Sequence, residues 1–399
     1  MSRSRRILLG LLSLAIAASL WLPAVHLFFT PRAVAASKTN PGAPLSARAQ
    51  ALAQRHLRLW SDPDLRAEEI DKMRVRNAEW DFMGRTFLVL SLANMSLREP
   101  ESKSDYLDIM DRIIEETIRM ENQEGVYYFL LPYAKSGRFS TDPARSLFID
   151  GEIALMLAAR RLVEEKPDYE PLLRERVETM IAYMRKSPVL CGESYPDECW
   201  MFCNSIALAA IRLHDVLDGA DHSEFIREWL ATAKKKLTDP DTGLLISSFT
   251  LNGRAMDGPE GSTIWMVVHC LQLVDEDFAR DQYERAERQL RRDVLGFGYA
   301  REWPEDTPFS AYMDVDSGPI VPVFEASAGS SGMAFVAAAA FDDKDFLRAL
   351  TTSLDAAAFP IYEDGALKYA ASNQVGDAVL LYAHVLGPLW EAAKEKGQR

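Results

Sequence analysis

Hydrophobic and polar residues alternate along the chain at helical spacing almost from end to end. Helix-length segments are predicted near 46–60, 64–76, 80–96, 103–121, 143–165, 168–186, 200–218, 222–237, 261–274, 277–294, 328–341, 343–358 and 374–395. The segments differ in kind. Over 168–186, Leu172, Leu173, Val177, Met180, Ile181 and Met184 form one stripe, with Arg174, Glu175, Arg176 and Glu178 opposite, the pattern of a helix with one face in water. Over 143–165 the run Ile153 to Ala159 is apolar all round, and 328–341 is a string of Gly, Ser, Ala and Val with no solvent face. Such segments must be enclosed by neighbours, and their small residues allow close approach. No stretch reads as a long strand; Leu244–Thr250 and Gly365–Ala370 are candidate short hairpin pieces.

Enclosed and half-exposed helices alternate with a period near 55–60 residues. The expected fold is all-α, an (α/α)6 toroid in which each pair borrows its neighbours to bury its inner helix. An open stack of helical pairs is the alternative. The expected organisation is a leader or anchor over 1–35, a linker over 36–45 and the helical domain over 46–399.

The leader rests on Arg3, Arg5 and Arg6 followed by an apolar run from Ile7 to Phe29 and a small-x-small site at Ala33-Val34-Ala35. The run is long enough to span a bilayer, so an uncleaved anchor through residues 7–29 is the alternative; either way the domain is expected to be extracytoplasmic, in the periplasm or at the membrane facing outward. Ser4-Arg5-Arg6 also loosely resembles a twin-arginine signal. The formal charge is -14; setting Arg3, Arg5, Arg6 and Arg32 apart from the 45 basic residues, against 59 acidic ones, leaves about -18 on the remainder. That field and the lack of a basic stripe argue against nucleic acid as a partner but say little about the small-molecule substrate expected here.

In a toroid, the loops entering the inner helices share one end. Here they are 77–81, 140–152, 195–204, 257–263, 312–319 and 372–377, and each carries a carboxylate. Helix capping accounts for part of this. It does not account for the aromatics Trp80, Tyr195, Trp200, Phe202, Trp265 and Tyr312, which predict a ligand pocket lined also by Asp197, Asn204, Asp314 and Asp316. Glu152, at the start of an all-apolar stretch, is a candidate proton donor with a raised pKa, or else an ion-pair partner of Arg85 or Arg145. His56, His214 and His222 read as surface residues and His269 and His384 as core ones. No zinc, nucleotide or serine-hydrolase motif is present, and no metal or cofactor is expected. Cys191, Cys199, Cys203 and Cys270 allow two disulfides in three possible connectivities, with Cys191–Cys199 among the candidate pairs.

The stretch Cys191-Gly-Glu-Ser-Tyr-Pro-Asp-Glu-Cys-Trp-Met-Phe-Cys203-Asn204-Ser205, continuing to Leu213-His214-Asp215-Val216-Leu217-Asp218-Gly219, resembles the linalool dehydratase/isomerase family. Weaker similarity runs from Thr141 to Ala159 and from Leu245 to Gln289, so that the resemblance spans roughly 75–390. It implies an (α/α)6 barrel and an exported, cofactor-free enzyme, oligomeric, with pockets near subunit contacts. It implies dehydration of a tertiary allylic terpene alcohol to an alkene, or isomerisation to a primary alcohol, by acid–base side chains that include two cysteines. Carried over, Cys203 matches the second cysteine. Cys191 matches the first if three residues are inserted before Pro196; otherwise the position is Ser194. The family's pocket histidine falls on Glu152, and Asp81 is the nearest counterpart of its aspartate. The resemblance thus points to Glu152, with Asp81, protonating a leaving hydroxyl while Cys203, as thiolate or relay, removes a neighbouring proton. Two other classes stay open: a carbohydrate-active hydrolase or lyase using paired carboxylates such as Asp314 and Asp316, and a non-catalytic binding protein.

Overall fold

The computed structural model describes residues 2–32, 44–305, 307 and 317–398. The proposed cleavage site Ala33-Val34-Ala35, most of the linker, and Tyr312, Asp314 and Asp316 lie outside the described residues.

The chain opens with α1 (Arg3–Val25), none of whose residues is buried. It is long and apolar enough to cross a membrane. Then come α2 (Ala47–Ser61), a short helical link over 63–76, α3 (Ala78–Arg98), α4 (Lys103–Glu124), α5 (Leu147–Val163), α6 (Tyr169–Met184) and α7 (Met201–Asp218). They are followed by α8 (Ser223–Lys236), α9 (Gly261–Leu271), α10 (Glu276–Leu290), α11 (Ala328–Ala340), α12 (Lys344–Ala357), α13 (Gln374–Val385) and α14 (Pro388–Gly397).

The inner helices pack in an unbroken cycle: α3 on α5, α5 on α7, α7 on α9, α9 on α11, α11 on α13, and α13 back on α3. This closure makes the fold an (α/α)6 toroid and rules out the open stack. The outer layer follows from amphipathicity. α4 lies on α3 and α5, α6 on α5 and α7, α10 on α9, α12 on α11, and α2 on α13; α8 buries Phe225, Trp229 and Ala233 and faces water with Lys234, Lys235 and Lys236 or their neighbours. α14 packs on α3, α5 and α7. Close packing inside the ring depends on small residues: a Cβ on Gly151 of α5 would sit 3.4 Å from the Ala207 backbone of α7. Fully buried Trp265, Phe82 and Tyr382 each contribute roughly 2–3 kcal/mol of apolar burial.

Short β elements decorate the ends. β1 (Cys199–Trp200), β2 (Ser248–Phe249) and β3 (Ala255–Asp257) form an antiparallel sheet in that order. β4 (Arg291–Val294) and β5 (Phe297–Ala300) form a hairpin, as do β6 (Ile320–Val321) with β7 (Ala326–Ser327), and β8 (Pro360–Glu363) with β9 (Ala366–Tyr369). Two helical expectations need correcting. The segment expected over 277–294 ends at Leu290, because Leu295 and Gly296 both take positive φ and turn the chain back as β4–β5. The segment expected over 374–395 breaks at Gly387, φ 127°, where Pro388 starts α14.

Candidate active site

The N-terminal ends of the inner helices open onto one cavity of about 1040 Å³. Trp80 and Met83 enter it from α3, Phe148 from α5, Phe202 and Cys203 from α7, Ser262 and Thr263 from α9, Gly329 and Met333 from α11, and Val375 and Val379 from α13. Trp200 of β1 and the connecting segments' Tyr133, Tyr195 and Trp303 add to it. Among the described residues its wall holds five carboxylates, Glu79, Glu198, Asp257, Glu260 and Glu302, and no lysine, arginine or histidine. Such a wall disfavours phosphorylated or carboxylate ligands and favours neutral or cationic ones.

Capping does not consume these acids. α3, α11 and α13 are capped by Asn77, Ser327 and Asn373. The exception is Glu302, which serves α9 from outside: its carboxylate accepts from Ser262 N (3.0 Å) and Ser262 Oγ, and also from Ser317 (3.1 Å) and Ser327 Oγ. Its backbone carbonyl takes Gly261 N at 2.6 Å. Gly261 is obligatory there, since a Cβ would lie 2.0 Å from Ser330 Oγ. Across the mouth, Tyr195 stacks on Tyr133 at 4.4 Å and donates its hydroxyl to Glu79 (2.5 Å) while accepting from Leu131 N (2.9 Å). Burial beside Glu79 pushes the Tyr195 phenol well up, so it stays a donor. Tyr133 (3.1 Å) and the Trp200 indole both donate to Glu198.

Cys203 is the one cysteine of the four in the wall. Burial drives its thiol well above its ordinary value; a hydrogen bond with Ser194 opposes this, and the charges of Glu152, Glu79 and Glu198 add to it. A resting thiolate is thereby disfavoured. Glu152 lies one turn along α5 from Phe148 on the same face, just behind the wall and fully buried. Burial raises its carboxyl to about 8; the bond from Thr86 Oγ1 (2.5 Å) pulls the other way and Glu79 adds slightly. It is therefore protonated at neutral pH. The ion pairs considered for Glu152 are not formed: Arg85 is taken by Asp81 (2.9 Å) and Glu116 (3.1 Å), and Arg145 by Asp150.

Of the other expected site residues, Trp80, Tyr195 and Trp200 line the cavity. Asp81 lies outside it, buried between Arg85 and Arg74 (3.7 Å). Cys191 is also outside, its thiol donating to Val189 O at 3.4 Å. Asp197 is an exposed turn residue accepting from Leu251 N (3.1 Å), and Asn204 is buried, tying Gly192 (3.0 Å) to Trp200 (2.8 Å). Trp265 turns into the ring wall and donates to Ser330 Oγ at 3.0 Å. The disulfides are not formed; all four cysteines are free and buried. His56 and His214, expected at the surface, are 0% and 3% exposed. The wall also contains Glu79, Tyr133, Glu198, Glu260, Glu302 and Trp303, which sequence reasoning had not singled out.

The fold and this acidic, aromatic cup define a helical toroid of enzyme type, with a pocket of small-molecule size where its inner helices begin. Residues 160–375 match the model of the linalool dehydratase/isomerase family, more than half of the chain, and the chain belongs to that family. Among solved structures it is similar to a GH76 alpha-mannanase from Bacteroides thetaiotaomicron, with 12% identity and a TM-score of 0.47, over 79% of this chain and 86% of that one.

Proposed function

We propose that the cavity dehydrates or isomerises an uncharged, hydroxylated apolar substrate of terpenoid type without a cofactor. The observation that carries this is the placing of Cys203 in the wall, with a protonated Glu152 behind it and no cation among the described lining residues. Glu152 supplies the proton, and the neutral Cys203 thiol relays it to the leaving hydroxyl. The C–O bond breaks, water leaves, and an allylic cation forms. The faces of Trp80, Trp200 and Phe202 and the surrounding carboxylates stabilise it. Glu79, oriented by Tyr195, then takes a proton from the neighbouring carbon to give the alkene. Return of water at the other end of the allyl system gives the isomer. Asp81 and Cys191 stand outside this scheme, Asp81 holding Arg85 and Cys191 packing in the core.

Membrane anchoring by α1, with Arg3, Arg5 and Arg6 on the cytoplasmic side, places the cavity outside the cytoplasm. An apolar substrate partitioning in the bilayer is then close at hand.

The test is product analysis with matched alcohols. Tertiary allylic alcohols should yield alkene or primary alcohol, and their phosphate esters, repelled by the wall, should react at least about 100-fold more slowly. Hydrolysis of neutral glycosides with no turnover of any alcohol would instead establish carbohydrate chemistry.

A further inference from the structure

At the end of α7 remote from the cavity, about 17 Å along the helix from Cys203 at 1.5 Å per residue, three metal-ligating side chains converge. His214 and Asp215 lie in the last turn of α7. Gly219, with φ 67°, ends the helix in the left-handed conformation, and the chain returns through His222 into α8. One ligand atom from each of His214, Asp215 and His222 lies within 4.8 Å of the others. The two imidazole rings are 5.7 Å apart. His222 Nδ1 lies in hydrogen-bond contact with Asp215 Oδ1 at 2.6 Å, and the His222 backbone N–H donates to Asp215 Oδ2 at 3.2 Å.

His214 is the independent observation. It is 3% exposed, and both its ring nitrogens are buried with no hydrogen-bond partner. Asp218 Oδ2 is 3.4 Å from Nε2, an ion-pair contact without hydrogen-bond geometry, and the Asp218 oxygens face Arg161, at 2.6 and 2.9 Å. A buried imidazole left this way is costly, roughly 1–3 kcal/mol for each unsatisfied polar group. A cation bound between the rings would use one of these nitrogens. Two imidazoles and one carboxylate are the donor set of zinc and its neighbours in the first transition series, not of calcium or magnesium. Arg161 adds positive charge nearby, balanced by Asp218 and by Glu165 at 2.7 Å. The His222 side chain, 23% exposed, leaves a fourth position open to water.

We propose that His214, Asp215 and His222 bind one divalent transition-metal ion, zinc by preference, which pins the turn joining α7 to α8. Binding replaces the contact between His222 and Asp215, so that both become ligands. The site is separate from the cavity and is not part of the dehydration scheme.

The test uses the full chain in detergent, stripped with a chelator and titrated with Zn²⁺ by calorimetry, then with Co²⁺ by absorption. The expected result is one Zn²⁺ per chain, a metal-dependent rise in Tm, and Co²⁺ bands of nitrogen and oxygen ligation without thiolate charge transfer. His222→Gln, at a partly exposed position, should weaken binding at least about 100-fold while leaving the Tm of the metal-free protein unchanged. Asp215→Asn should weaken binding similarly, with some loss of metal-free Tm because the buried Asp215 also holds the turn through His222. The proposal is overturned if the wild type shows no saturable binding, if His222→Gln binds as tightly, or if Co²⁺ reports thiolate ligation by the cysteines.

Discussion

At the scale of single residues, Glu152 shows how the fold makes an acid. A carboxyl on an apolar helix face can be accommodated only by holding its proton, and Thr86 does not reverse that. The apolar run from Ile153 to Ala159 made this legible in the sequence. Its consequence is a pH dependence of stability. The folded-state value, about 8, lies above the ordinary 4.5. Below about pH 4.5 both states hold the proton and there is no penalty. Between there and about pH 8 the unfolded chain gives up its proton and the folded one does not, so stability falls as pH rises. Asp377, raised to about 7 by burial, adds in the same direction. Glu152→Gln, which mimics the protonated acid, should flatten this slope, with a difference of a few kcal/mol from wild type at pH 8 as an upper bound. Chemical denaturation at pH 5 and pH 8 measures it; parallel pH dependences in the two proteins would remove Glu152 as the proton store.

Elements explain why some of the site was unreadable. The helices entering the ring were visible from periodicity, and with them Trp80, Tyr195, Trp200 and Cys203. Glu302 and Trp303 follow the β4–β5 hairpin, which the polar run Arg291-Arg292-Asp293 disguises as helix, and Tyr133 comes from a segment without periodic pattern. Asp81 illustrates a local contact winning over a distant one. Arg85 is four residues along the same helix, so the two side chains meet on one face. Thr117 Oγ1 (3.3 Å) and Glu116 then bind Arg85 to α4. Asp81→Ala should therefore destabilise the fold by about 3–5 kcal/mol by leaving a buried guanidinium undercompensated, while turnover per folded molecule changes only a few-fold. Thermal melts with active-fraction titration separate the two effects. A folded variant with abolished turnover would move Asp81 into the chemistry.

For the whole molecule, ring closure is what gathers residues more than two hundred positions apart into one cavity, and it was foreseeable because no inner helix is amphipathic enough to face water. α1 stands apart from that logic, exposing Leu8, Leu20 and Trp21. The proposed fate of α1 is a bilayer or removal. Expressed whole, the protein should sediment with membranes and resist extraction by high salt, or else lose its N-terminus on export; mass spectrometry of the membrane and soluble fractions distinguishes these. An intact N-terminus on soluble protein would contradict both. The central claim is narrower: Cys203 works at the reacting centre of an acid–base lyase or isomerase. Steady-state turnover of a tertiary allylic alcohol by Cys203→Ala, read beside its Tm, tests it most directly. The expected result is a fall in kcat of about 100-fold or more with the Tm held within a few degrees; full activity in the folded variant would contradict it.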